Sequence, residues 1–241
     1  MTIDIRTDDE ISDVEGGWFR ARWHFSFDSY YDPEYMGFGN LRVFNDDRLI
    51  PGAIWPMHPH RDIEGLTYVV EGSFRHEDNV GGDPGPLPAG SVQRMSLGSG
   101  AYHSEQNGSE TEPMRFIQMW IMPEQQGLEP GVEQRVYTID DRLGNLLEVI
   151  SPEGGTAVKV HGNARVFVSR LVDPETVRHE LGPDRGAYLY VIEGDVSVNG
   201  QQMVTGSAAR IRDESAIEIS ANADSELILV DVDLTWGVGS A

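Results

Sequence analysis

Short runs of alternating apolar and polar residues recur along the chain, punctuated by Gly, Pro, Asn and Asp. They include LRVFNDD (41–47), LTYVVEGSFRHED (66–78), SVQRMSL (91–97), MRFIQMWIMP (114–123), ARVFVSRLV (164–172), AYLYVIEGDVSVNG (187–200), SAIEIS (215–220) and ELILVDVDL (226–234). A two-residue period puts alternate side chains on one face of an extended chain, so these runs predict strands. Turn residues at this spacing predict sandwiches or barrels. Helical periodicity is scarce. PETVRHEL (174–181) is the exception, because proline after Asp173 suits the first position of a short helix. The expected fold class is mainly β.

The strand pattern occurs twice. LTYVVEGS (66–73) is echoed by YLYVIEGD (188–195), and AGSVQRM (89–95) by TGSAARI (205–211). Glu-Gly turns are common, but two matches in the same order predict two copies of one β unit, each roughly half the chain. The expected division is 1–133 and 134–241, with the first strand free to pack on the second unit.

Two histidine pairs stand out against this pattern. HPHRDIEG begins at His58 and HSEQN at His103, so His58 and His60, and likewise His103 and Glu105, are two residues apart. In a strand such residues share a face, with Cα atoms about 6.5–7 Å apart. Each pair can therefore aim at one point, and across a barrel interior the four groups can converge. Three neutral imidazoles and a carboxylate suit Fe(II), Mn(II), Ni(II) or Zn(II), at about 2.0–2.2 Å for zinc, and leave an octahedral ion two open positions. Taken singly, each histidine also reads as a hydrogen-bonded residue of a half-buried strand, and Glu105 as a solvated carboxylate. The second copy argues for the metal: carried across without gaps, the four positions fall on Glu180, Gly182, Ile219 and Ala221. It keeps the strands and loses the candidate ligands.

Composition narrows the chemistry. The 241 residues include no cysteine, so disulfides and thiolate sites are excluded and any metal must be held by nitrogen and oxygen. With 39% hydrophobic and 24% charged residues the chain is of the folded, core-forming kind. Forty acids against eighteen bases give a net charge of −22, which disfavours phosphate backbones and anionic lipid, so no direct nucleic-acid or membrane partner is expected. Lys159 is the only lysine. Such acidity fits an ordinary acidic protein or a surface adapted to high salt, and unfolding in low-salt buffer would mark the latter. The N-terminal MTIDIRTDDEISDVEGG has neither a basic stretch nor an apolar run, and no segment has the roughly 20 apolar residues of a membrane helix. A cytoplasmic location is expected.

The surroundings of the histidines resemble a known family. GAIWPMHPHRDIEGLTYVVEG places Gly52 five residues before His58-x-His60, then Glu64 and Gly72, and GAYHSEQN places Gly100, His103 and Asn107. These resemble the two signature motifs of the cupin superfamily, a small double-stranded β-helix barrel, with Glu64 an eligible ligand and Gly98 in place of the second motif's proline. FDSYYDPEYMGFGNLRVFNDD, HPHRDIEGLTYVVEGSFRHED, PAGSVQRMSLGSGAYHSE and QMWIMPEQQGLEP together resemble, in order and spacing, the pirin family.

That resemblance implies a bicupin whose N-terminal barrel holds a metal through His58, His60, His103 and Glu105, and whose C-terminal barrel lacks ligands. It moves the fourth ligand from Glu64 to Glu105 and leaves Glu64 as a supporting or structural carboxylate. It implies one divalent metal, Fe(II) foremost, with Zn, Ni, Mn, Co or Cu as alternatives. It also implies quercetin 2,3-dioxygenase activity on a flavonol and O2, with Glu105 as the proton acceptor. A second, non-catalytic reading is a metal- or redox-responsive partner of a regulatory protein. His76 either hydrogen-bonds near the site or lies on the surface beside Glu77 and Asp78. His24, His161 and His179 read as structural. Trp55, Met57, Met95, Tyr102, Phe116 and Met119 are eligible apolar lining.

Overall fold

The computed structural model describes residues 2–81 and 85–237. The first part contains β1 (Thr2–Arg6), β2 (Ser12–Glu15), β3 (Phe19–Trp23), β4 (Leu41–Leu49), β5 (Ile54–His60), β6 (Glu64–Glu71), β7 (Ser73–Asp78), β8 (Leu87–Pro88), β9 (Ser91–Ser96), β10 (Ala101–Asn107), β11 (Met114–Ile121) and β12 (Gly131–Val136). After one turn of helix, α1 (Ile139–Arg142), come β13 (Leu147–Ser151), β14 (Val158–Lys159), β15 (Ala164–Leu171), β16 (Thr176–Glu180), β17 (Arg185–Glu193), β18 (Asp195–Val198), β19 (Gln201–Val204), β20 (Ala208–Arg212), β21 (Ala216–Ala221) and β22 (Ser225–Asp233). Among the described residues no helix is long and apolar enough to cross a membrane.

Each half pairs a seven-stranded sheet with a four-stranded one. The first half has the orders β12-β9-β6-β11-β4-β3-β2 and β5-β10-β7-β8, and the second β1-β20-β17-β22-β15-β13-β14 and β16-β21-β18-β19. The sheets do not close into continuous cylinders, but the arrangement is that of two cupin barrels. The first strand hydrogen-bonds to β20, and β12 extends the first sheet to Val136. We propose that the seam lies just past β12, with residues 2–6 given to the second barrel.

Alternation decides which face each strand turns inward. On β17, Tyr188, Tyr190 and Ile192 join Leu66, Tyr68, Ile117 and Met119 in the core between the two large sheets. Ala187, Leu189 and Val191 face the other way, into a second barrel filled by Val177, Val196, Ile217, Ile219 and Leu229. The first barrel is not filled in this way: two small apolar clusters, around Phe74 and Phe116 and around Met95 and Leu97, leave polar space between its sheets.

The duplication is visible in how the halves are joined. Tyr68 and Tyr190 are equivalent positions of the repeat, and each donates a hydrogen bond to a buried carboxylate of the opposite half. Tyr68 Oη reaches Glu226 Oε1 at 2.6 Å, and Tyr190 Oη reaches Asp46 Oδ2 at 2.7 Å. Arginines complete both: Arg142 meets Glu226, and Arg115 grips Asp46 with Nε at 2.9 Å and Nη2 at 2.6 Å. The buried carboxylate of Asp46 is tolerated because both of its oxygens are matched, and that of Glu226 because two arginines flank it.

Two sequence expectations change. PETVRHEL is not a helix, since Thr176–Glu180 form β16, paired with β21. Its alternating burial, with Val177 and His179 inward, shows that the two-residue period outweighed proline's preference for a helix start. The gapless comparison of the copies also slips. His179 pairs with Ile217 as His60 pairs with Ala101, and Val177 pairs with Ile219 as His58 pairs with His103. His58 and His60 therefore correspond to Val177 and His179 rather than to Glu180 and Gly182. On β10, His103 corresponds to Ile219, and Glu105, two residues on, to Ala221. The one imidazole retained is taken up by Asp231, whose Oδ2 lies 2.9 Å from His179 Nε2.

Replacing Tyr190 by Phe removes one hydrogen bond to a charged group and should cost about 1.5–3 kcal/mol. Asp46→Ala strands both Arg115 and Tyr190 and should cost about 3–5 kcal/mol. Denaturant unfolding measures both, and equal costs would show that the carboxylate is not the centre of the clamp.

Candidate metal centre

The centre is built by one antiparallel pairing. In β5 and β10, His58 lies opposite His103 and His60 opposite Ala101, with a bulge between His103 and Glu105. Beyond the strand, the Asp62 N–H donates to Gly98 O at 2.9 Å and ties the turn after His60 to the turn before His103. Gly98 is required there: its φ is +23°, and a Cβ would stand 1.9 Å from Leu128 O. The departure from the cupin proline thus has a steric cause.

His58, His60 and His103 each bring a ring nitrogen within 4.8 Å of the other two. Ring centroids are 4.8 Å apart for His58 and His60, 4.4 Å for His58 and His103, and 5.3 Å for His60 and His103. His58 Nδ1 lies 2.7 Å from Pro56 O; a carbonyl only accepts, so Nδ1 carries a proton and Nε2 is the atom available to a metal. His103 Nε2 is buried with no hydrogen-bond partner among the described residues. Burial, reinforced by the neighbouring imidazoles, pushes the pKa of both His60 and His103 down to about 4. A buried imidazole nitrogen without a hydrogen bond is costly, and the converging donor set fits a divalent transition metal.

Glu105 is 4% exposed and lines the same chamber, but stands outside the tight group of three. Its Oε1 accepts from Gln118 Nε2 at 2.5 Å and lies 4.0 Å from His103 Nδ1. Burial raises its pKa above the usual carboxylate range. Glu64 turns away: its Oε2 lies 3.2 Å from both the backbone N and Nδ1 of His161 and 3.9 Å from Arg94 Nε, so it joins the two halves. His24 is fully buried, with Nδ1 2.7 Å from Tyr188 Oη. His24, His161 and His179 are all held by partners in this way. His76 is not on the surface but 1% exposed, beside His103.

The chamber next to the imidazoles has a volume of about 20 Å³, room for about one water. Of the expected apolar lining, Trp55 and Phe116 border it. Met95 and Met119 belong to the core, while Met57 and Tyr102 are about half exposed. Sequence reasoning missed Phe27, Asn45, Asp47, Gln118 and Trp120, which complete the walls. The signal was present, since Phe116, Gln118 and Trp120 alternate on one strand and so face one way. Asp47 is buried, with one carboxyl oxygen unmatched, and burial together with Glu105 and Asp46 raises its pKa well above normal. Trp120 packs on His60, their rings 4.7 Å apart. Outside the chamber, Pro59, His60, Arg61 and Tyr102 border an open depression of about 640 Å³, so His60 adjoins both spaces.

Comparison with known proteins agrees with this geometry. Residues 5–121 match the family model described as Pirin, and residues 148–232 match that described as Quercetinase C-terminal cupin domain. A quercetin 2,3-dioxygenase of Escherichia coli (strain K12) is 40% identical over 232 residues, covering 95% of this chain and 98% of that protein. A pirin-like protein of Caulobacter vibrioides is 41% identical over 231 residues, covering 95% and 99%. The crystal structure of the bacterial pirin YhhW from Escherichia coli in complex with nickel(II) has a TM-score of 0.90 at 39% identity, covering 96% of this chain and 99% of that one.

The neutral imidazoles set a pH dependence. Unfolded histidines protonate near 6.5, whereas His60 and His103 stay neutral in the fold down to about pH 4, so between these values the unfolded chain binds more protons. The metal-free protein should hold its stability above about pH 6.5 and lose it as pH falls toward 4. His103→Gln should flatten that slope by up to about 1.4 kcal/mol per pH unit in urea unfolding. An unchanged slope would mean that His103 is not held neutral.

Proposed function

The chain belongs to the pirin family, and on that premise we propose that its first barrel is the active site of a metal-dependent dioxygenase. The substrate is a flavonol such as quercetin, whose central ring is opened with O2 and which releases one carbon as CO. The observation that carries the reading is the convergence of three imidazoles, two of them held neutral, beside a buried carboxylate at a chamber that shares His60 with a larger outer depression. His58, His60, His103 and Glu105 would hold the ion, Fe(II) foremost. A divalent cation bound there supplies Lewis acidity toward an enolic substrate oxygen.

The protein's own groups do the rest. The chamber of about 20 Å³ is too small for a three-ring molecule, so only the reacting oxygens enter it. The rings lie in the outer depression, against Pro59 and Tyr102. Glu105 takes the proton of the flavonol 3-hydroxyl. Burial makes it a stronger base than a solvated carboxylate, and Gln118 holds its Oε1 in place. Trp55, Phe116 and Trp120 keep bulk water from the reacting atoms.

Iron-loaded protein should consume quercetin under O2 and release CO in equal amount. His60→Ala should bind the metal more weakly and lower turnover with it, and Glu105→Gln should lower kcat about 10²–10⁴-fold. Failure of turnover with each of Fe, Mn, Ni, Co and Cu loaded would overturn the activity while leaving the metal centre standing.

A further inference from the structure

His103 has a partner at the other end of its ring that the proposed reaction does not use. Its Nδ1 lies 3.2 Å from Nε2 of His76, and Nδ1 of His76 lies 3.2 Å from Oδ2 of Asp78. The side chains of His76 and Asp78 are 1% and 0% exposed, so water does not compete for these contacts. The other oxygen of Asp78 accepts the N–H groups of Val80 at 2.6 Å and Gly81 at 2.5 Å, which fixes the carboxylate's orientation. The β7–β10 pairing builds the row, with His103 opposite Asp78 and Glu105 opposite His76.

The proton positions follow from which groups can donate. A carboxylate only accepts, so the hydrogen of a neutral His76 sits on Nδ1, facing Asp78. Nε2 of His76 is then bare and can only accept, so His103 must donate from Nδ1. A neutral imidazole carries one N–H, and Nε2 of His103 is left with its lone pair. That atom is buried without a hydrogen-bond partner among the described residues, whereas Nδ1 of His76 faces the Asp78 carboxylate at ion-pair distance without the alignment of a hydrogen bond. His58 reaches the same tautomer through the Pro56 carbonyl.

We propose that His76 and Asp78 are positioning residues, which hold His103 in the one tautomer and orientation that presents a bare Nε2 to a divalent cation. This rests on the metal reading of the first barrel. Losing such support beneath a ligating histidine typically costs 10–100-fold in metal affinity.

Long-range proton–nitrogen NMR spectra of the metal-free protein test the tautomer directly, and nickel(II) titration against a competing chelator tests its consequence. His103 should carry its proton on Nδ1. His76→Leu should weaken nickel binding 10–100-fold, and His76→Gln, whose amide oxygen can accept from His103, should recover most of that loss. A metal-free His103 protonated on Nε2 overturns the proposal, whether or not the variants fold. Wild type that binds nickel while His76→Leu binds it equally well overturns the positioning role alone. Wild type that takes up no nickel overturns the metal reading and this role with it.

Discussion

The centre depends on three imidazoles whose ring nitrogens converge, two of them held neutral by burial. Nothing among the described side chains offers His103 Nε2 a proton, and burial keeps His60 and His103 uncharged well below neutrality. Leaving such a nitrogen buried and unmatched costs desolvation, which a bound cation would offset. One strand register enforces the convergence: His58 opposite His103 sets the approach, and the Asp62–Gly98 contact keeps the two turns together.

The two barrels show one β unit used in two ways. In the second, aliphatic side chains at Val177, Ile219 and Ala221 stand where the first has His58, His103 and Glu105, and they join an apolar cluster. Its remaining histidine, His179, is absorbed by Asp231. The second barrel instead supplies the wall against which the first is braced, through the reciprocal Tyr68–Glu226 and Tyr190–Asp46 bonds. Asp46 sits between Asn45 and Asp47, which both line the chamber, so the brace ends directly behind the centre.

Much of this was legible in the sequence, because it depends on a two-residue period. His58-x-His60 share a face wherever that segment is extended, and the repeated Glu-Gly strands disclose the duplication. What was illegible depends on pairing between strands. Nothing local tells that Gln118 of β11 meets Glu105, or that His76 of β7 lies behind His103 rather than on the surface. The slip that matched His60 with Gly182 has the same origin: a gapless offset assumes equal turns, and only the ladder shows that His179 takes that place. PETVRHEL failed because local preference for a helix start was weaker than the gain from burying Val177 and His179 against β21.

X-ray absorption combined with metal analysis of the intact protein tests the central claim most directly. The account predicts one first-row divalent ion per chain, with a scattering pattern that requires three imidazole nitrogens, reduced to two in His60→Ala. An ion surrounded by oxygen alone, or the same imidazole count after that substitution, would contradict it.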